Sequence, residues 1–196
     1  MKLLTLTAVM AAAMYAVPAI AQAPAAAKPH QSGAAKTHSG VSATDQAFAK
    51  EAAIGGMAEV ELGTLAKEKA SNPDVKQFGE RMVTEHGSAN DELKQWAQQK
   101  NVTLPTDLDA QHKATKDRLS KLSGDAFDKA YMRDMVSDHV KDVAAFKHEA
   151  ASGKDADLKA WAGKTLPTLQ DHLKSTREIN AEVTGSATHA KKPSKQ

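Results

Sequence analysis

The chain has 196 residues, enough for one domain of ordinary size with tails, and it contains no cysteine. Disulfides, thiolate chemistry and cysteine-ligated clusters are therefore excluded. Only 4% of the residues are aromatic and alanine is abundant, which favours close-packed helices over stacked sheets. All 24 acidic residues but only 20 of the 26 basic residues lie in region 45–183, so its formal charge of −4 argues against nucleic-acid binding.

The N-terminus has the three parts of a secretory signal peptide. Lys2 supplies a positive start, residues 3–17 are apolar, and Ala19-Ile20-Ala21 matches the small-residue cleavage pattern. We expect cleavage after Ala21, which predicts a periplasmic or secreted protein with no transmembrane anchor. Residues 22–44 are rich in Ala, Pro, Lys, Ser and Gly and predict a flexible linker, and residues 184–196 predict a basic disordered tail.

Hydrophobic periodicity predicts four long helices, over residues 45–70, 73–100, 125–151 and 156–183, and a short helix near 108–122. The pair Gly55-Gly56 costs helix propensity, which predicts the close approach of a neighbouring helix. Pro167 is expected to kink or split the last helix. Four long helices with a longer middle connection indicate an all-α fold. The prediction is a ferritin-like four-helix bundle with an extra short helix in the long crossing between its second and third long helices.

A sequence motif recurs on two of these helices. Residues 78–86 and 131–139 both read as an aromatic residue, three further residues, Met-Val, a hydroxyl residue, an acid and a histidine. A shorter echo at residues 168–172 keeps the hydroxyl, the aliphatic residue and the acid–histidine pair. Three helices thus carry one pair each: Glu85-His86, Asp138-His139 and Asp171-His172.

These pairs fall on or beside the apolar stripes, where the pattern calls for core residues. An isolated buried charge costs several kcal/mol, so a cluster of this kind needs compensation. A shared metal ion would supply it, and imidazole with carboxylate suits iron, manganese, zinc or copper. The candidate metal ligands are Glu59, Glu85, His86, Asp138, His139, Asp142 and His172.

Two interpretations of the cluster stay open. The chain has no Glu-x-x-His, the di-iron motif of helical bundles, so a histidine-rich single-metal site is as plausible as a di-iron centre. Alternatively, each imidazole pairs with a carboxylate on the next helix and only fixes helix register, as in a non-catalytic structural, interaction or stress-response protein with a protein partner or a second copy. Asp109 and His112 have ligand-like spacing, but their polar neighbours indicate surface. Phosphate loops, nucleophile elbows and metalloprotease boxes are absent, so no catalytic residue is assigned.

Several stretches in order resemble the bacterial family called domain of unknown function 4142. They are residues 55–63, 78–86, 102–105, 127–131 and 165–172, and the resemblance spans the region from Asp45 to about Glu182. Members look ferritin-like in fold and typically carry an export signal. The resemblance implies this fold and compartment, and it implies no catalytic residue because no activity is established for the family. The function expected is that of an exported bundle which binds a transition metal in metal or oxidative-stress handling.

Overall fold

The computed structural model of the protein describes residues 40–185. This part of the chain forms five helices and no strand: α1 (Ala43–Lys69), α2 (Pro73–Lys100), α3 (Ala110–Ser120), α4 (Gly124–Ser152) and α5 (Ala156–Val183). The predicted all-α fold with four long helices and one short helix is confirmed, while the likeness to ferritins stays a prediction. The predicted signal peptide, most of the linker and nearly all of the predicted tail lie outside the described residues.

The helix ends follow local chemistry. The side chain of Ser42 accepts a hydrogen bond from the backbone of Asp45, so α1 begins two residues earlier than the periodicity predicts. Asn72 caps α2 in the same way, with Pro73 in the first turn. Pro167 does not split the last helix, because α5 runs without interruption from Ala156 to Val183, while the alternative expectation of a kink stays a prediction.

The long helices form two hairpins, α1 with α2 and α4 with α5, and α1 also packs on α4 while α2 packs on α5. The start of α1 lies at the end of α4, and the start of α4 lies at the end of α1. Since each hairpin turns back on itself, α2 and α4 run in the same direction. Residues 101–123, which include α3, therefore return along the length of the bundle, with α3 against α1 and α4.

Two buried aspartates fix this arrangement reciprocally. Asp45, in the first turn of α1, accepts hydrogen bonds of 2.7–3.2 Å from the backbone N–H groups of Lys154 and Asp155, between α4 and α5. Asp128, near the start of α4, accepts bonds of 2.6–3.2 Å from Ser71 and Asn72, between α1 and α2. Each hairpin thus holds the turn of the other, as expected for two related halves.

The core divides into two apolar clusters. One contains Trp96, Phe146 and Trp161, near the α4–α5 turn. The other contains Phe78 and Tyr131 and lies toward the α1–α2 turn. On α2, α4 and α5 a single buried histidine separates the residues of one cluster from those of the other.

The helices α1 and α2 approach each other closely at Gly63 and Gly79. A Cβ atom on Gly63 would lie 2.6 Å from the carbonyl oxygen of Gly79, and one on Gly79 would lie 2.8 Å from the carbonyl oxygen of Gly63. The expectation that Gly55 serves such a contact is wrong. A Cβ atom there would have no other atom of residues 40–185 within 4 Å, apart from its own helix backbone and chain neighbours. A Cβ atom on Gly56 would collide with the side chain of Asn90 and not with the backbone of a neighbouring helix.

Alanine substitutions at Gly63 and Gly55 distinguish a glycine that contacts the neighbouring helix from one that does not. Gly63→Ala should lower the free energy of unfolding by about 1–3 kcal/mol, because the added methyl group forces α1 and α2 apart. Gly55→Ala should raise it by roughly 0.5–1 kcal/mol, because the helix gains propensity and the methyl group meets open space. Urea unfolding followed by circular dichroism measures both. Equal effects of the two substitutions would show that the helices do not depend on the Gly63–Gly79 contact.

Replacing Asp128 tests the reciprocal anchoring. Asp128→Ala removes a charged acceptor from two backbone N–H groups and one hydroxyl, so a loss of about 2–3 kcal/mol in the free energy of unfolding is expected. Asp125→Ala is the matched control on the same helix, since within residues 40–185 Asp125 accepts a single exposed hydrogen bond, of 3.1 Å from the Ser71 hydroxyl. Its expected loss is below about 0.5 kcal/mol. Losses of equal size in the two variants would contradict the anchoring role of Asp128.

Candidate metal centre

Three histidines from three helices meet in the middle of the bundle. His86 on α2, His139 on α4 and His172 on α5 are 7%, 0% and 1% exposed. One ring nitrogen of each lies within 4.8 Å of those of the other two. Their ring centroids are 5.3–5.8 Å apart. These three residues are the histidines of the three sequence pairs, so the structure brings together the part of the prediction that concerns imidazoles.

In two of the rings, one nitrogen is held by a hydrogen bond, and we call it the outer nitrogen. Nδ1 of His139 lies 2.9 Å from the carbonyl oxygen of Met135, which can only accept, so this nitrogen carries the proton. Nε2 of His172 lies 2.6 Å from the Glu85 carboxylate. In the neutral rings, Nε2 of His139 and Nδ1 of His172 therefore keep their lone pairs.

Each ring also has one buried nitrogen with no hydrogen-bond partner among residues 40–185. These atoms are Nε2 of His86, Nε2 of His139 and Nδ1 of His172, and we call them the open nitrogens. A buried polar atom without a partner is uncommon in folded proteins, because its lost hydration is not replaced. The open nitrogens of His139 and His172 carry lone pairs, and Nε2 of His86 carries one when its ring is protonated at Nδ1, so the three neighbouring rings can donate to one metal ion.

The rings are held in their neutral form. Burial, followed by the proximity of His139 and His172, lowers the pKa of His86 well below its ordinary value. Burial lowers the pKa of His139 to about 4. Burial also lowers the pKa of His172, although its bond to Glu85 opposes the shift. Neutral imidazole is the form that binds metal ions, so the cluster needs no deprotonation at neutral pH.

Aromatic surroundings make the cluster apolar on one side. The ring of Phe78 lies edge-on to His139 and His172, with centroid distances of 6.0 and 6.1 Å. Sequence reasoning assigned Phe78 to the core without a role beside the histidines. Its position four residues before Met82 and eight before His86 on the same stripe is the signal that places it there.

Glu59 of α1 is the buried carboxyl nearest to the cluster. It is 2% exposed, and its Oε1 lies 3.8 Å from Nδ1 of His139. Its Oε2 has no hydrogen-bond partner in the described part of the chain. Burial, followed by the charges of Asp142 and Asp138, raises the pKa of Glu59 well above its ordinary value. Burial therefore favours the protonated carboxyl group of Glu59, and a nearby cation would favour loss of its proton.

The other acids of the predicted set lie farther out. Glu85 is 35% exposed and also bonds Arg81, so its pKa is lowered despite burial by the bonds from His172 and Arg81. Asp138 pairs with Lys141 at 3.3 Å. Burial and the charge of Asp138 raise the pKa of Asp142 to about 7. The structure thus places Glu85 against the outer nitrogen of His172, and Asp138 and Asp142 in one groove with Glu59.

One group interpreted as surface belongs to this outer layer. His112 of α3 is only 22% exposed and binds Asp109 at 2.8 Å, and both residues line a groove together with Asp138 and Asp142. The i, i+3 spacing of Asp109 and His112 was the available signal. The helix that packs against these two residues depends on the path of residues 101–123 across the bundle. The polar residues around Asp109 and His112 in the sequence do not indicate that path.

The fold and cluster define a helical-bundle protein with a buried tri-histidine centre, and the comparisons place it in a family. The chain belongs to the family described as Domain of unknown function (DUF4142), whose model matches residues 27–179. No curated protein has a sequence that matches this chain. Among the helices of residues 40–185, none has the length and apolar character needed to cross a membrane.

Solved structures share the helical fold at low sequence identity. A DUF305 protein from Streptomyces coelicolor, described as a candidate secreted protein, has a TM-score of 0.63 at 14% identity and covers 76% of this chain and 98% of its own. A DUF305 fragment from Deinococcus radiodurans has a TM-score of 0.65 at 11% identity, with coverages of 72% and 98%. CopM in its Cu(II)-bound form has a TM-score of 0.60 at 17% identity, with coverages of 70% and 96%. At these identities the likeness is one of fold alone.

Leucine substitutions test whether the imidazoles stabilise the bundle. In the metal-free protein, His86→Leu should leave the free energy of unfolding unchanged or raise it by about 1–2 kcal/mol, because a buried nitrogen without a partner is replaced by apolar volume. His172→Leu should lower it by roughly 1–2 kcal/mol, because the bond to Glu85 between α2 and α5 is lost. Chemical unfolding in the presence of a chelator measures both. If His86→Leu is as damaging as His172→Leu, the ring of His86 has a structural partner.

Proposed function

We propose that this protein is an exported helical bundle that binds a transition-metal ion through His86, His139 and His172, and that copper is its ion. The observation that supports this most directly is the convergence of three buried imidazoles. One ring nitrogen of each lies within 4.8 Å of those of the other two, and each ring has an open nitrogen. The signal peptide predicted from residues 1–21 supports the compartment. Holding copper in a buried site would serve metal or oxidative-stress handling outside the cytoplasm.

The donor set fits a small soft-to-borderline ion. Imidazole nitrogens suit copper and zinc, and metal–nitrogen bonds to histidine are about 2.0–2.1 Å. Nitrogens within 4.8 Å of one another need only small shifts of the rings to surround such an ion. The carbonyl of Met135 and the carboxylate of Glu85 hold the outer nitrogens of His139 and His172, as partners of metal-binding histidines commonly do.

The charge of the site favours copper in its monovalent form. Three neutral imidazoles add no negative charge, so a bound ion keeps its full charge in a buried setting, and a single positive charge costs less to bury than two. Glu59, beside His139, can ionise to offset a second charge. CopM, which shares the fold, has structures with Cu(I), Cu(II) and Ag bound.

The alternative proposal is that the acid–histidine pairs only fix helix register. The bond between His172 and Glu85 favours it, because it links α5 to α2 at 2.6 Å. It gives no account of the open nitrogens of His86 and His139, since a register-fixing pair would satisfy both of its members. Metal binding explains all three rings at once.

Thermal unfolding with added metal tests the proposal. Binding to the folded state raises stability by RT ln(1 + [L]/Kd), about 2.7 kcal/mol when the free ion is at 100 times its Kd. Cu(I), kept reduced under argon, and Ag(I) should therefore raise the melting temperature of the chain lacking residues 1–21, and Zn(II) should raise it less. His86→Ala and His139→Ala should each abolish most of the rise.

His148→Ala is the matched control, because His148 lies on α4 with His139 but is exposed. This variant should respond to Cu(I) like the unmodified chain. The same chain with His30→Ala, His38→Ala and His189→Ala removes the histidines outside the described residues as competing ligands. A rise that survives His86→Ala and His139→Ala would move the site elsewhere, and no rise with any ion would favour the register-fixing alternative.

A further inference from the structure

An acidic groove opens on the side of the bundle formed by α1, α3 and α4. Its volume is about 400 Å³, and carboxyl groups line it from three helices. Asp109 comes from the start of α3, Asp138 and Asp142 from α4, and Glu59 from α1. Among these, Glu59 is 2% exposed, and its Oε2 finds no partner within residues 40–185. A buried carboxyl oxygen without a partner at the base of an acidic groove is a group that a cation would satisfy.

A narrow cavity adjoins this groove. Its volume is about 20 Å³, room for about one water molecule or one small ion. The groove and the cavity share the residues Ala52, Gly55, Asp142 and Phe146. The cavity also reaches His86. A continuous set of lining residues therefore leads from solvent, past Asp142, to a ring of the tri-histidine cluster.

Gly55 keeps the junction of the two spaces open. It lines both of them, and a Cβ atom added to it would have open space around it. A glycine in the middle of a helix lowers helix propensity and here serves no helix–helix contact. The absence of a side chain at Gly55 keeps the junction open, because a larger residue would project into it.

The opposite face of the bundle has a different charge pattern. A second groove, between α2 and α5, is lined by Arg81 and Lys164 as well as by acids, and it also shares two lining residues with the cavity, Ala89 and Thr165. Arg81 bonds Glu85 and Asp171, and Lys164 bonds Glu92, so the acids of that face already have cations. In the α1–α3–α4 groove, Lys141 bonds Asp138, while Asp142 has no hydrogen bond or ion pair with any described residue. A cation is thus attracted more strongly to the α1–α3–α4 groove than to the α2–α5 groove.

We propose that the α1–α3–α4 groove is the access route by which the metal ion reaches the tri-histidine cluster, with Asp142 and Glu59 as transient carboxylate ligands and Gly55 as the open junction. This inference rests on the proposed function. The ion exchanges water for carboxylate oxygens in the groove and then carboxylate for imidazole nitrogen at His86. No electron or covalent group is transferred, and the ion keeps its oxidation state.

Stopped-flow measurement of Ag(I) binding tests the route, because Ag(I) needs no reductant. Trp161 lines the inner cavity, so its fluorescence is the reporter. Asp138→Asn combined with Asp142→Asn should lower the association rate constant by about tenfold or more at low ionic strength, and added salt should reduce this difference. Gly55→Leu should lower the association and dissociation rate constants together by roughly tenfold, since it narrows the path and leaves the bound state unchanged.

Glu92→Gln is the control for charge on the α2–α5 face, to be compared with Asp142→Asn alone as well as with the double variant, and its rate constants should equal those of the unmodified chain. The melting temperature of each metal-free variant shows that it is folded. If Ag(I) binds and His86→Ala abolishes binding, but both groove variants bind at the unmodified rate, the route is wrong and the metal site stands. A slower rate in Glu92→Gln alone would assign access to the other face. Absence of Ag(I) binding to the unmodified chain would overturn the route together with the proposed function.

Discussion

The reciprocal anchoring of the two hairpins by Asp45 and Asp128 is the constraint on which the rest of the structure depends. Each carboxylate lies near the start of one hairpin and binds backbone N–H groups in the turn of the other. Because these contacts lie at opposite ends of the bundle, they fix how far one hairpin can slide along the other. A fixed register brings His86 of one hairpin to the level of His139 and His172 of the other. The tri-histidine cluster is thus a product of contacts at the two ends of the bundle.

The cluster lies where a bundle selected for stability alone would have apolar residues. Two apolar clusters flank it, and Phe78 closes one side. Leaving three ring nitrogens buried without partners costs free energy, and burial also opposes their protonation. The same two effects suit a metal site, since neutral imidazoles in a confined apolar setting are ready to donate lone pairs. The acids around this centre differ in burial. Glu59 is buried beside it, whereas Asp138 and Asp142 are less buried and line the groove.

Sequence patterns predicted that the three histidines face the core because helical periodicity is a local property, and all three are buried. His86, His139 and His172 each fall at a core position of an amphipathic stripe, and three repeats of one pair pointed to a shared location. The adjacent acids could not be placed in this way. An acid next to a core histidine is rotated by about 100° on the helix, so its neighbour depends on which helix packs on that side. Glu85 therefore meets α5, Asp171 meets Arg81 near the surface, and Asp138 faces the groove beside α3.

The sequence by itself determined the all-α class, the bounds of four long helices to within two residues, the family and the core positions of three histidines. These follow from periodicity, capping residues and motifs, all of which act over a few residues along the chain. Only the tertiary structure decided that the α1–α2 contact uses Gly63 and Gly79, that Gly55 borders a cavity, and that His112 joins an acidic groove. Those features depend on distances between residues far apart in sequence. Such distances are set by the packing of whole helices, and no local pattern encodes them.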